Sequence, residues 1–119
     1  MSDAVSAVPQ LWPFLLELLT RRDARQLIRW VSAEGEFEFV EPEQVARLWG
    51  EQKANANMTF AKLSRALRNY YSLGIVAKVG GPRAHTYRFT FDLAGHLGYS
   101  VAELCSLLGY EAQPPQQDA

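Results

Sequence analysis

The stretch MTFAKLSRALRNYYSLG, residues 58–74, constrains the fold more than any other part of the chain. Thr59 is of a type that caps a helix start and Gly74 of a type that ends one, and residues 60 to about 71 repeat their apolar members at helical spacing. At the helical period Phe60, Leu63, Leu67, Tyr70 and Tyr71 share one sector, while Ala61, Lys62, Arg65, Arg68 and Asn69 share the opposite one. No acid occurs between Lys53 and Lys78, so no carboxylate one turn away neutralises these cations. Exposed Arg and Lys usually mark only a solvated face, but such faces commonly mix signs. A purely basic face with the small Ala61 near its start suits close approach to a polyanion.

The flanking segments narrow the fold to one class. Upstream, EPEQVARLWG places Pro42 where a helix begins, puts acids in its first turn and turns Val45, Leu48 and Trp49 to one side. The polar connection GEQKANANM then leads into the basic helix. Downstream, IVAKV and TYRFTF are separated by GGPRAH, as in a hairpin, and residues 28–40 read as an earlier hairpin turning at Gly35. Leu11, Phe14, Leu15, Leu18 and Leu19 make the stripe of a first helix that tolerates Pro13 in its first turn. SVAELCSLLG carries a capping-box pattern, Ser100 to Glu103, and closes at Gly109 as a short terminal helix.

The expected class is therefore α+β: a winged helix-turn-helix of three helices with a small antiparallel sheet, plus a short C-terminal helix. The expected layout is a flexible N-terminus over residues 1–8, a DNA-binding domain over 9–92, a helical extension over 93–111 and a disordered tail over 112–119. A chain of 119 residues, 48% of them apolar, suffices for one such domain.

A net charge of −1 taken as an average opposes a nucleic-acid partner, but the distribution does not. Residues 44–90 hold eight basic residues against one acid, Glu51, and the rest of the chain holds four basic and twelve acidic residues. Screening removes the influence of distant charge beyond about 8 to 10 Å at ordinary salt, so the local field is what a polyanion meets. Other function classes lack residues. Cys105 is the single cysteine, and His85 and His96 have no partners at ligand spacing, so neither a metal nor any other cofactor is expected. No nucleophile, base and acid converge as an enzyme or a small-molecule site requires. LWPFLLELL is far short of the roughly 20 residues of a membrane span, and no basic region precedes it as in a secretory signal.

A guanidinium offers paired donors that fit guanine O6 and N7, so Arg65 and Arg68, about one turn apart, can address neighbouring base pairs in a major groove. Together LWPFLLELL, GEFEFVEPEQVARLWG, MTFAKLSRALRNYY and DLAGHLGYSVAEL resemble the ETS-domain transcription factors, most closely the GA-binding protein alpha subfamily, in the right order from about Leu11 to Leu108. The resemblance implies a nuclear transcription regulator that binds double-stranded DNA at a GGA(A/T) core, with Arg65 and Arg68 on the guanines. It implies backbone or flanking contacts from the amide end of the first helix near Leu11 and from Trp49, Lys53, Lys62, Asn69, Tyr70, Lys78 and Arg83. It also implies an ankyrin-repeat beta subunit as partner, for which Val101, Leu104, Leu107 and Leu108 form a candidate stripe.

Three departures bear on affinity and flanking preference. Asn69 stands where most ETS domains have tyrosine, although the Spi subfamily shares asparagine. Glu51, Gln52, Ala54 and Asn55 replace a loop usually richer in Lys and Arg. The wing VGGPRAHTY is one residue longer than the common form, with Arg83 as its one arginine. The competing reading is a protein-interaction module of the same fold with weak or lost DNA binding.

Overall fold

The computed structural model of the chain describes residues 10–80 and 84–110. In order they form α1 (Leu11–Leu19), a 3-10 turn (Arg22–Ala24), β1 (Ile28–Trp30), β2 (Glu36–Phe39), α2 (Pro42–Gln52), α3 (Phe60–Arg68), β3 (Val76–Lys78), β4 (Thr86–Phe89), α4 (Leu93–Leu97) and α5 (Val101–Leu108). The expectations for residues 1–8, for the tail 112–119 and for Arg83 lie outside the described residues.

The four strands make one antiparallel sheet in the order β1-β2-β4-β3. Its register aligns Trp30 with Phe37 and Phe37 with Tyr87, and pairs Ile28 with Phe39 and Val76 with Phe89, so alternation gathers their side chains into the core. Phe37 is fully buried, with its ring centroid 4.8 Å from Phe89 and 5.9 Å from Phe39. The pairs Arg29–Glu38 and Glu36–Arg88 alternate with these apolar pairs, and the Arg29 guanidinium lies 3.6 Å from the Glu38 carboxylate. Leu15 and Leu19 of α1, Val45, Ala46 and Trp49 of α2, and Leu63 and Leu67 of α3 complete the core.

The join between α2 and α3 depends on Gly50. The Asn55 N–H donates to the Gly50 carbonyl at 2.7 Å, and a Cβ at Gly50 would lie 2.5 Å from the Asn55 carbonyl oxygen and 2.8 Å from the Met58 Cβ. In an open helix interior alanine is better than glycine by about 1 kcal/mol. Here the sign reverses, because the turn must move: Gly50→Ala is expected to destabilise the domain by about 1–3 kcal/mol, as overpacking does. A shift of the urea midpoint to lower concentration checks this, and a midpoint at or above wild type would refute it.

Three elements differ from expectation. First, α3 ends at Arg68 rather than near Tyr71, because the amides of Asn69, Tyr70 and Tyr71 bond three residues back, to Ala66, Leu67 and Arg68. That tighter winding takes Tyr71 out of the apolar sector and leaves it 39% exposed. Second, the helical extension over 93–111 holds two helices, α4 and α5, where one short helix is expected; the five residues of α4 are too few to show a period, and local chemistry makes it, with Asp92 Oδ1 accepting from the Gly95 N–H and Gly98 closing at φ 88. Third, the α5 stripe offered as a partner-binding candidate is mostly covered by the chain itself. Val101, Leu104 and Leu108 are buried in the chain's own core, and Leu107 alone of the four stays 66% exposed.

The attachment of α5 explains that burial. Its capping box forms as expected between Ser100 and Glu103, and Gly109 ends it in the left-handed conformation. Beyond the helix's own bonds, the Leu107 carbonyl accepts from Arg22 Nη2 at 2.9 Å and the Gly109 carbonyl from Arg25 Nη1 at 3.2 Å, cations placed at the negative end of a helix. Tyr110 extends the clamp, its hydroxyl accepting from the Trp30 N–H at 3.0 Å while the Arg25 guanidinium sits 5.5 Å from its ring. Burial pushes the Cys105 thiol up, away from the thiolate a nucleophile needs.

Candidate nucleic-acid interface

Leu63 and Leu67, both fully buried, fix the rotation of α3 about its axis, and Thr59 caps its start by accepting from the Lys62 N–H. The consequence is an outward face of Ala61, Lys62, Arg65, Arg68 and Asn69, all exposed. Neither guanidinium of Arg65 or Arg68 has a hydrogen-bond or ion-pair partner among the described residues, so both forks are free for an external acceptor. Lys62 differs: its ammonium donates to the Asn57 carbonyl at 3.1 Å and is drawn back towards the turn.

Three groups of candidate residues meet around this helix. At the end of α2, the Lys53 ammonium lies 5.6 Å from the Trp49 ring, and that ring lies 5.1 Å from Phe14 of α1. Trp49 is only 4% exposed, yet its indole N–H finds no acceptor among the described residues. Just past α3, the Tyr70 hydroxyl accepts from the Trp12 N–H at 3.3 Å, tying the helix exit to the start of α1. The Tyr70 hydroxyl has no acceptor of its own among the described residues, so its proton can be donated. The start of α1 has no side-chain cap from Gln10 and no acid in its first turn, and Pro13 carries no amide, so among the described residues the Leu11 N–H has no acceptor while its side chain is buried.

The third group lies at the sheet edge. Lys78 ends β3 with its ammonium 5.4 Å from the Tyr87 ring. Burial, then the neighbouring Tyr71 hydroxyl, pushes the Tyr87 phenol up, while the Arg68 charge acts the other way. Sequence reasoning missed Tyr87, and its signal was only a residue with a polar tip on the inward-facing register of TYRF. His85, at φ 58, packs its ring 5.2 Å from Phe60 at the entry of α3. Arg83 lies outside the described residues, and Val101, Leu104, Leu107 and Leu108 sit on the separate C-terminal helix.

The arrangement can do what separate cations cannot. Two free planar forks stand on a helix held in one rotation, flanked by donors suited to phosphate: the Leu11 amide, the Tyr70 hydroxyl, the Trp49 indole and the Lys53 and Lys78 ammonium groups. No group of His, Cys, Asp and Glu able to hold a metal occurs among the described residues, and no described helix is long and apolar enough to cross a membrane.

A family model described as Ets-domain matches residues 8–90. The GA-binding protein alpha chains of Homo sapiens and Mus musculus are each 52% identical over 99 residues, covering 83% of this chain and 22% of theirs. Protein C-ets-2 of Lytechinus variegatus is 45% identical over 109 residues, covering 92% of this chain and 96% of that sequence. Transcription factor ast-1 of Caenorhabditis elegans is 49% identical over 90 residues, covering 76% of this chain and 23% of its own. The chain thus spans less than a quarter of the length of most of these relatives.

Proposed function

The chain belongs to the Ets-domain family, and on that premise we propose that it is a nuclear, sequence-specific DNA-binding module of a transcription regulator that reads a GGA(A/T) core. The observation that carries this reading is the pair of unpartnered guanidinium groups, Arg65 and Arg68, on a helix whose other face is locked into the core. In this reading α3 enters the major groove, the two arginines each hydrogen-bond a guanine, and Asn69 lies beside the flanking bases. Lys53, Lys78, Arg83, Tyr70, Trp49 and the Leu11 amide hold phosphates and set the depth of the helix. The end of α2 and the turn after it add little charge beyond Lys53, with Glu51 and Gln52 exposed in the last turn of the helix, Ala54 exposed and Asn55 partly so beyond it, and binding is correspondingly moderate.

The test is a titration of a labelled GGAA duplex and a scrambled duplex across a salt series. Preference for GGAA is expected, with a slope of log affinity against log salt of about −3 to −5, at roughly −0.9 for each phosphate neutralised. Equal affinity for the two duplexes, or a slope near zero, would refute the reading and favour the interaction module. A partner subunit with ankyrin repeats is a separable part of the proposal. Of the α5 stripe it would meet Leu107, the exposed member, rather than the buried Val101, Leu104 and Leu108.

A further inference from the structure

Two helix starts in this fold are held in different ways. At the start of α1 no acid lies in the first turn: its Trp12 N–H donates to the Tyr70 hydroxyl at 3.3 Å, and its Leu11 N–H has no acceptor among the described residues. The start of α3 is held by a carboxylate. Its Phe60 N–H donates to Glu43 Oε1 at 3.1 Å, its Lys62 N–H donates to Thr59 Oγ1 at 3.3 Å, and only the intervening Ala61 N–H is left without an acceptor among the described residues. Glu43 comes from the first turn of α2, 17 residues earlier, so its carboxylate stands between the positive ends of two helices. It forms no ion pair among the described residues; Arg47, one turn further along α2, borders the same surface recess without closing to salt-bridge distance.

A helix start with free amides attracts phosphate whatever the base sequence. The leading end of a groove-binding helix is therefore a source of non-specific affinity unless something occupies it. We propose that Glu43 is a specificity-determining residue: its carboxylate occupies the amide end of α3 and keeps DNA phosphate away from it, so that α3 binds through the face bearing Arg65 and Arg68. The inference rests on the DNA-binding reading above. In the specific complex the guanine contacts fix where the helix lies, and its end has no freedom to settle on a phosphate. On a sequence without the core nothing fixes the helix, and a bare amide end would settle there. Glu43 thus weakens the wrong complexes more than the right one, which is how discrimination is gained without a base contact.

Glu43→Gln separates the charge from the hydrogen bond, because the amide carbonyl still accepts from the Phe60 N–H. Glu41→Gln is the control, removing an exposed acid at the N-cap position of the same helix whose side chain makes no cap bond and no bond to α3. At low salt Glu43→Gln is expected to tighten the scrambled duplex about two- to fivefold, the range for one charge at a helix terminus. It should tighten GGAA less, lower the GGAA-to-scrambled ratio and steepen the scrambled-duplex salt slope by about one. A parallel thermal melt should fall by no more than a few degrees, because the carboxylate also steadies the two helix starts it faces while the amide keeps the hydrogen bond. If wild type prefers GGAA and Glu43→Gln leaves ratio and slope as they were, or if Glu41→Gln has the same effect, the inference is overturned and the DNA-binding reading stands. If wild type shows no preference, both are overturned.

Discussion

Replacing Leu104 with alanine is expected to lower the stability of the domain by about 2–5 kcal/mol, the range for truncating a fully packed leucine. Leu104 is buried with Val101 and Leu108, and α5 cannot swing away to relieve a cavity, because Arg22, Arg25 and Tyr110 hold its far end to the 3-10 turn and to β1. Leu107→Ala on the same helix should shift stability by no more than about 0.5 kcal/mol, since its side chain is largely exposed and lies outside the buried core. Guanidinium unfolding of the two variants beside wild type measures the contrast. Similar values for both would mean that α5 is not an integral part of the core. A pull-down with an ankyrin-repeat subunit should respond in the opposite order, losing the partner with Leu107→Ala while fold and DNA binding persist.

Arg65→Ala and Arg68→Ala are each expected to cost about 1–3 kcal/mol of discrimination for a GGA core over a scrambled site, as the loss of one bidentate guanine contact does. Folding should survive, because both side chains lie opposite the buried Leu63 and Leu67 and have no partner among the described residues to abandon. Lysine should not restore discrimination at either position, since an ammonium keeps the charge and loses the fork. That contrast separates base reading from phosphate attraction: Arg→Lys should retain affinity for the scrambled duplex while losing preference for GGAA. Competition binding at fixed salt decides it, and a wild-type preference in either alanine variant would remove that arginine from the guanine contact.

Local periodicity and capping chemistry were enough to read the order of the helices and hairpins, the outward direction of Arg65 and Arg68 and the capping box of α5, because each depends on residues within about one turn or one strand step of another. The same locality set the limits. Tyr71 left the expected apolar sector because the last turn of α3 tightened, and α4 is too short to show a period. What only the tertiary structure decided are bonds between residues far apart in the chain. The Tyr70 hydroxyl meets the Trp12 amide across 58 positions, Arg22 reaches the Leu107 carbonyl across 85, and Glu43 closes the start of α3 across 17. Such bonds leave no trace in a sequence pattern, since a tyrosine, an arginine or a glutamate is equally at home in water. Packing brings each to its partner, and it thereby determines which leucines of α5 are core and which helix start is held by a carboxylate.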